Sequence, residues 1–396
     1  MSSIKTAADQ CFDEIVAIRR DIHRHPEVGR TEVRTSALIR KKLGEYGVDS
    51  IESPCPTAVV GILHGAEGPG KCIAIRADID ALPVTEQTGL SFASENAGVM
   101  HACGHDMHVA MLLGVAKVLC GMRDQIHGTV KFIFQHSEDT LPGGAKELVE
   151  NGVMENPKVD AIIGLHVMPD AERVGQIGVR AGALTTAVDL YDVSVIGKGG
   201  HGSAPHTTND PILAAAQMIV TLQQIVARRV DPLDTAIFSI GSIHSGDAPN
   251  IIPDQAKFSG IARTYTDTAR ETVRQQVVDI ARGIGALSGC QVTIDHTEGY
   301  PTAVNDKALV AGAKSAISAQ LGEDAVVELE NPFSFSEDFS YYGNMTGIPS
   351  AYFMLFAGYV GDELVSLHNP KCALREEAMP YGITALASIA VDYLNQ

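Results

Sequence analysis

Three short apolar runs, separated by segments with helical periodicity, limit what this chain can fold into more than any other feature. The runs cover 72–77, 129–134 and 161–166. Continuous apolar runs of this length are typical of strands that are buried on both faces of a sheet. Their alternation with helices predicts an α/β fold with a mainly parallel sheet.

Polar side chains with catalytic or metal-binding chemistry stand at the end of each predicted strand. Asp78 and Asp80 follow the first strand, Glu138 and Asp139 follow the second, and His166 ends the third. The carboxyl ends of parallel strands meet at one edge of a sheet, and open α/β sheets bind their ligands there. One such placement is readily explained as a solvated turn, but its repetition at three strands favours a functional site.

The segment from Met100 to His108 has the densest group of candidate metal ligands. It contains one cysteine, three histidines and an aspartate. Cys103 and His105 flank a glycine, so both side chains can turn to one point, and thiolate with imidazole suits zinc and its first-row neighbours. A helix is predicted to begin here, and its N-terminal dipole favours a thiolate. Taken alone, the segment could also be a histidine-rich surface loop, so a metal site requires further ligands from elsewhere.

Length and composition limit the class of protein. A chain of 396 residues is too long for one ordinary core, which predicts two domains. Its 30 Lys and Arg against 48 Asp and Glu give a net charge of −18, which speaks against a nucleic-acid-binding surface. There is no apolar run of about 18 residues, so no membrane span is expected. The absence of a signal core and seven scattered cysteines predict reduced thiols and a cytoplasmic location.

The strand and helix pattern changes in the middle of the chain. There the predicted order is β-α-β-β-α-β, which is that of a ferredoxin-like module. We therefore expect a catalytic domain formed by 1–182 and 295–396, with a second, α+β domain inserted over 183–294. Helical periodicity further predicts helices over 5–24, 33–46, 106–121, 210–228 and 374–394.

Two loops carry further histidines. The glycine-rich segment 197–206 holds His201 and His206, and its Lys-Gly-Gly order does not match the nucleotide-binding pattern. We interpret it as a loop that contacts substrate, the alternative being a flexible connection. The loop 361–370, bounded by glycine and proline, holds His368, which is a further candidate ligand.

These residues together suggest a dinuclear metal centre. Five ligands are too many for one catalytic zinc ion but suit two metals that share a bridge; the candidates are Cys103, His105, Asp139, His166 and His368. Glu138, beside Asp139, could then take a proton from water and pass it to a leaving amine. Asp80 is expected to hold a ligand imidazole or to tune the metals, and His201 or His206 to stabilise an oxyanion.

The chain resembles the N-acyl-L-amino-acid amidohydrolase group, which includes hippurate hydrolases and plant auxin-conjugate hydrolases. This group lies within the dinuclear metallopeptidases related to aminoacylase. The resemblance extends from His23 to the last predicted helix, and its most specific part is the cysteine-histidine motif with the later histidines. The matching segments are RADIDALP at 76–83, MHACGHD at 100–106, GLH at 164–166, GGHGSAPH at 199–206, PNIIP at 249–253 and SEDF at 336–339.

The resemblance implies an enzyme that hydrolyses the amide joining an acyl group to an amino acid. It implies a catalytic domain, a smaller lid that also mediates homodimerisation, and two divalent cations, for which zinc, manganese, cobalt and nickel are all suitable. Cys103 would bridge the cations, and the other four candidates would complete the ligands. Glu138 would be the general base and His201 the oxyanion contact across the dimer. Asn250 and Arg263 would bind the substrate carboxylate.

Two positions depart from the pattern of that group. Asp139 stands where many members have glutamate, and its shorter side chain reaches about 1.5 Å less far. Metal–ligand distances tolerate only tenths of an ångström, so either the backbone shifts or the second metal binds more weakly. His136 replaces an expected proline, and nothing in the sequence explains it.

Three alternative functions remain open from the sequence. A dipeptidase or carboxypeptidase could use the same dinuclear chemistry, and a free α-amino group on its substrate would need an acid nearby. A thiol hydrolase would use Cys103 as the nucleophile with a histidine base. A metal-binding protein without catalysis is the third alternative, and the presence of Glu138 argues against it because binding alone needs no base.

Overall fold

The computed structural model describes residues 3–361 and 364–396, so part of the predicted loop 361–370 lies outside the described residues. The chain divides into two compact units. The larger unit consists of Met1–Leu184, Ala303–Pro332 and Asp338–Gln396, and the inserted unit consists of Thr185–Thr302 and Phe333–Glu337. The inserted unit thus ends later than the predicted 183–294, and it takes in a short segment from further along the chain.

Helices and strands are numbered in chain order. The helices are α1 (Ile4–Gln10), α2 (Phe12–Arg24), α3 (Val33–Tyr46), α4 (His105–Gly121), α5 (Gly144–Glu150), α6 (Pro211–Leu222), α7 (Gln224–Arg228), α8 (Asp267–Ser288), α9 (Lys307–Leu321), α10 (Ser340–Thr346) and α11 (Met379–Leu394). The strands are β1 (Ser50–Glu52), β2 (Val59–His64), β3 (Cys72–Asp78), β4 (Thr129–Gln135), β5 (Ala161–Met168), β6 (Ile177–Val179), β7 (Gly182–Ala183), β8 (Ala187–Ile196), β9 (Gly200–His201), β10 (Ala236–Ser245), β11 (Ile251–Ile252), β12 (Gln255–Thr264), β13 (Gln291–Glu298), β14 (Val304–Asn305), β15 (Val326–Glu328) and β16 (Ser350–Phe356).

The larger unit is built around an eight-stranded sheet in the order β1-β2-β4-β3-β5-β16-β6-β15. Its centre, β4-β3-β5-β16, is parallel, which confirms the predicted α/β class. On one side β2 runs antiparallel to β4, and on the other β6 runs antiparallel to β16. The four central strands are buried along almost their whole length, as their continuous apolar sequences predicted.

The helices of the larger unit pack closely on this sheet and on each other. Helix α4 is buried along most of its length. A Cβ atom at Gly114 would lie 2.5 Å from Ile383 Cδ1, so the glycine permits the close approach of α4 and α11. The prediction of one continuous helix over 5–24 is wrong, because the chain forms two helices, α1 and α2, that are separated at Cys11. The last helix begins at Met379 rather than at 374, after a single 3₁₀ turn.

The inserted unit has a four-stranded antiparallel sheet in the order β10-β12-β8-β13, which confirms the ferredoxin-like arrangement. Residues along β10 and β13 alternate between more and less exposed positions, as expected of a sheet with one covered face. Asp210 begins α6 by accepting hydrogen bonds from two backbone N–H groups, and Pro211 occupies the first helical position. The helix predicted over 210–228 is in fact α6 followed by the short α7. Among the residues that the structure describes, no helix is long and apolar enough to cross a membrane.

Candidate metal centre

The candidate ligands of the larger unit lie at the carboxyl edge of the central parallel strands. β3 ends at Asp78, and β4 ends shortly before Glu138 and Asp139. His166 lies within β5, and His368 lies in the loop that follows β16. Because these four strands are parallel neighbours, their ends bring together residues that are far apart in the sequence.

Cys103 is at the centre of the cluster. Its Sγ lies 3.2 Å from His368 Nε2 and 3.4 Å from His166 Nε2. His105 is the first residue of α4, and the turn before it contains Gly104 at φ 86°. A Cβ atom at Gly104 would lie 2.5 Å from a methyl group of Val167, so only glycine fits this turn without displacement. The cysteine and the histidine on either side of it therefore face the same point.

Two groups of three donors meet at this cysteine. The first consists of Cys103, His105 and His166, and the second of Cys103, Asp139 and His368. Within each group the donor atoms lie within 4.8 Å of one another. Cys103 is common to both groups, and this is the arrangement that a thiolate bridge between two cations requires.

Glu138 and Asp139 approach the cluster from the end of β4. Asp139 Oδ1 lies 3.4 Å from His368 Nε2, and its Oδ2 lies 3.9 Å from His105 Nε2. Glu138 Oε2 is also 3.9 Å from His105 Nε2. The backbone N–H of Asp139 donates a 3.0 Å hydrogen bond to Asp80 Oδ2, which holds this loop against the end of β3. The two neighbouring carboxylates thus both reach the cluster.

The hydrogen bonds of two histidines determine which ring nitrogen is available. His105 Nδ1 donates to the carbonyl oxygen of Asp80 at 2.9 Å, and His166 Nδ1 donates to that of Val167 at 2.7 Å. Since a carbonyl can only accept, both Nδ1 atoms carry hydrogen and each Nε2 of the neutral ring presents a lone pair. His105 Nε2 is buried and has no hydrogen-bond partner among the described residues. These rings therefore fit a metal ion in the cluster.

The electrostatics of the cluster also suit a cation. Burial, with the negative charge of Asp139, raises the pKa of the Cys103 thiol well above its usual value. Desolvation opposes protonation of His105, but the charge of Asp78 and the contact with Asp80 outweigh it and raise the pKa of His105. Protons and metal ions compete for these donors, so cations would displace the protons.

His108 was not among the predicted site residues, but it packs against two of the candidate ligands and forms hydrogen bonds beside them. Its Nε2 accepts a 2.9 Å hydrogen bond from the N–H of Val167, so its Nδ1 carries the hydrogen that it donates to Asp78 at 2.6 Å. The ring lies against those of His105 and His166, with centroids at 5.4 and 4.6 Å. The spacing of three residues from His105 on one helix was the signal that could have indicated this role.

A buried ion-pair network continues from Asp78 away from the cluster. Arg76 donates to Asp78 Oδ2 and to Asp338 Oδ1, both at 2.7 Å, and to Gln135 Oε1 at 2.7 Å. Asp338 also accepts from the N–H of Ala145 at 3.0 Å. All three charged side chains are fully buried. The network ties β3, β4 and the start of α5 to the segment before α10, and no sequence pattern had predicted it.

The remaining predicted site residues lie in the inserted unit. His201 is exposed on β9, where its Nδ1 accepts a 3.1 Å hydrogen bond from the N–H of Ser203, so its Nε2 is the nitrogen that can donate. His206 lies in an exposed 3₁₀ turn. The carbonyl of Asn250 accepts from the N–H of Gly202 at 2.8 Å, so Asn250 and His201 are neighbours across the β9–β11 pairing.

Arg263 lies on β12, apart from that histidine loop. Its Nη1 donates to Ser334 O at 3.0 Å and to Ser336 Oγ at 2.8 Å. Burial lowers its pKa. The guanidinium of Arg263 already binds the segment 333–337, which belongs to the inserted unit. A substrate carboxylate would therefore have to bind the same guanidinium beside these contacts.

Comparison with known proteins identifies the family. The profile of peptidase family M20/M25/M40 matches residues 74–392. The chain belongs to this family. Accordingly, this M20 protein is an enzyme, a metal-dependent hydrolase of linear amides, as the sequence resemblance predicted.

The similarity to several known proteins covers most of the chain. An N-acyl-L-amino acid amidohydrolase of Geobacillus stearothermophilus is 42% identical over 302 residues, which cover 76% of this chain and 80% of that protein. Thermostable carboxypeptidase 1 of Saccharolobus solfataricus is 38% identical over 402 residues, covering 100% and 99%. A crystal structure of the Bacillus subtilis YXEP protein, described as a dinuclear metal binding peptidase from the M20 family, is 35% identical with a TM-score of 0.83, covering 98% and 99%.

Proposed function

We propose that this M20 hydrolase cleaves the amide bond of N-acyl amino acids, releasing a carboxylic acid and a free amino acid. The observation that carries the proposal is the pair of donor groups that share Cys103, with the Glu138 carboxylate beside them. The 42% identity to an N-acyl-L-amino acid amidohydrolase supports this substrate class.

The residues of the cluster have separate tasks in this reaction. Two divalent cations held by the two donor groups would polarise the scissile carbonyl and acidify an attacking water molecule. Glu138, which is 5% exposed, accepts the proton of that water and passes it to the leaving nitrogen as the C–N bond breaks. Asp80 positions the reactants indirectly, since its carbonyl orients His105 and its carboxylate holds the N–H of Asp139.

The inserted unit contributes the substrate contacts in this proposal. His201 would donate from Nε2 to the developing oxyanion across the dimer, and His206, Asn250 and Arg263 would bind the rest of the substrate. The exposure of both histidines supports a role in contacting small molecules. Zinc, manganese, cobalt and nickel all match the thiolate, imidazole and carboxylate donors.

A chelation and reconstitution experiment tests the proposal. The purified protein is stripped with a chelator, reloaded with each of the four metals, and assayed for release of free amino acid from acetyl- and benzoyl-amino acids. We expect the activity to disappear with the metal and to return with at least one of them. Full activity in the stripped protein would refute metal-dependent hydrolysis.

A carboxypeptidase function is the second candidate, and the similarity to thermostable carboxypeptidase 1 favours it. The two candidates differ in the group on the amino side of the scissile bond. Comparing kcat/KM for an N-acetyl amino acid with that for a dipeptide of the same C-terminal residue separates them. A preference for the free dipeptide would reverse the assignment.

We further propose that the protein is a cytoplasmic homodimer assembled through the inserted unit. Strand β10 lies at the edge of the antiparallel sheet, and its Ile237 and Ile243 are 37% and 50% exposed. An exposed apolar edge strand is suited to pairing with another copy. Light scattering after size exclusion should show a dimer for the wild type and a monomer for Ile243→Lys; a monomeric wild type would refute the dimer.

A further inference from the structure

A second cluster of metal-binding side chains lies outside the proposed dinuclear centre. It consists of Cys55, His136 and Glu147, whose donor atoms all lie within 4.8 Å of one another. Cys55 lies in the turn between β1 and β2, His136 directly follows β4, and Glu147 lies on α5. Folding therefore gathers three different donor types from three separate segments of the chain.

His136 gives the independent indication that a ligand belongs in this cluster. The residue is 2% exposed, and its Nδ1 lies 2.9 Å from Ser137 Oγ. Its Nε2 is buried, has no hydrogen-bond partner among the described residues, and lies 3.8 Å from a carboxylate oxygen of Glu147. A buried polar nitrogen without a partner is costly, and a bound ion is one partner that would satisfy it.

The backbone around the cluster is arranged for close approach. A Cβ atom at Gly144 would lie 1.9 Å from the carbonyl oxygen of His136, so only glycine allows α5 to begin against this residue. Glu147 then follows one helical turn later, on the side that faces His136. Asn151, a further turn along, donates to Cys55 Sγ at 3.2 Å, which is the kind of contact that supports a thiolate ligand.

The charge balance permits a dication. A thiolate and a carboxylate together neutralise two positive charges. Arg30 Nη1 lies 2.9 Å from Glu147 Oε2 and opposes a cation, but its side chain is 54% exposed and therefore screened by water. The same Oε2 lies 3.8 Å from His136 Nε2, so a bound ion would share this oxygen with Arg30. Around tetrahedral zinc the donor atoms lie about 3.5 Å apart, which small side-chain rotations from the present spacing can reach.

We propose that Cys55, His136 and Glu147 bind one zinc ion, with a water molecule as the fourth ligand. Thiolate, imidazole and carboxylate are common zinc donors. Binding converts the Cys55 thiol to a thiolate and releases its proton to the solvent. The ion would join the β1–β2 turn, the end of β4 and α5, and so hold the loop that carries Glu138 and Asp139.

The first test counts zinc. Chelator-stripped protein is reloaded with zinc salt, dialysed, and analysed for zinc per chain by mass spectrometry. We expect Cys55→Ser and Glu147→Gln each to bind one zinc ion fewer than the wild type. Cys72→Ser, which changes another buried cysteine outside the cluster, should bind as many as the wild type. Glu147 is 33% exposed, so its variant separates loss of a ligand from loss of folding.

The second test identifies the sulfur ligand with cobalt. Cys103→Ala removes the thiolate of the proposed dinuclear centre, yet cobalt-loaded Cys103→Ala should still show thiolate-to-cobalt absorption in the near ultraviolet. Adding Cys55→Ser should abolish that absorption. Equal zinc content in the wild type and both cluster variants, or no such absorption in Cys103→Ala, would overturn the third site. Both experiments detect bound metal rather than turnover, so their outcome does not depend on whether the protein hydrolyses N-acyl amino acids.

Discussion

The central sheet of the larger unit and the sheet of the inserted unit differ in how much of each strand is buried. β3, β4 and β16 are buried at every position, whereas β10 and β13 of the inserted unit alternate between more and less exposed residues. The first pattern means that both faces are covered, and the second that one face is open. The candidate centre lies at the carboxyl edge of this covered sheet, where Cys103 and His105 are buried but His368 is 53% exposed.

Charged side chains show the consequence of this difference. In the larger unit, Arg76 and its two carboxylate partners are fully buried. In the inserted unit, the corresponding pair is Arg270 with Asp189, of which Arg270 is 14% exposed. Asp189 also accepts from His296 Nε2 at 2.9 Å. A buried charge that loses its partner is not rehydrated, so we expect substitutions to act more strongly in the larger unit.

The largest expected difference concerns catalysis. Glu138→Gln keeps the size of the side chain but removes the base, so kcat should fall by about 10²- to 10⁴-fold. The metal content should remain that of the wild type. Glu271→Gln, on the exposed side of α8 in the inserted unit, is the matched control and should leave kcat unchanged. Unchanged turnover in Glu138→Gln would remove this carboxylate from the mechanism.

The next difference concerns the two arginines. Arg76→Met leaves Asp78 and Asp338 buried without their shared cation, and should lower the free energy of unfolding by about 3–5 kcal/mol. Arg270→Met leaves Asp189 its contact with His296 and should cost about 1.5–3 kcal/mol. Urea unfolding followed by circular dichroism measures both. Equal losses would contradict the contrast between the two sheets.

Two leucines, one in each unit, test how strongly the burial of an apolar side chain contributes to stability. Leu113 on α4 is fully buried, while Leu213 on α6 is 59% exposed. Leu113→Ala should reduce the free energy of unfolding by about 2–5 kcal/mol because it opens a cavity. Leu213→Ala should change it by less than about 0.5 kcal/mol. Urea unfolding followed by circular dichroism measures both changes. A large loss of unfolding free energy for Leu213→Ala in dilute protein would show that the Leu213 face of α6 is covered in solution.

The smallest expected difference concerns two histidines that each pair with a buried aspartate. His108→Asn disturbs the hydrogen bonds to Asp78 and to the N–H of Val167, and should weaken metal affinity by about 10- to 100-fold. His296→Asn, whose partner is Asp189 in the inserted unit, should leave metal affinity unchanged. Competition with a coloured chelator measures both, and equal affinities would mean that His108 has no positioning role.

Local sequence predicted the main elements because their signals are local. Continuous apolar runs identified β3, β4 and β5, and helical spacing identified α3 and α4. Strand β2 was not predicted, and helix ends were misplaced where one residue, such as Cys11, interrupts a continuous apolar pattern. Such interruptions depend on packing against the rest of the unit, which periodicity does not contain.

The sequence by itself determined the chemical types of the candidate ligands and their positions at strand ends, because residue type and strand order are properties of the chain. Only the tertiary structure decided which of them meet. Arg76 and Asp338 are separated by 262 positions, and Cys55, His136 and Glu147 lie in three different segments. Hydrogen bonds and metal–donor contacts act over a few ångströms, so pairs this far apart in sequence are selected by folding alone.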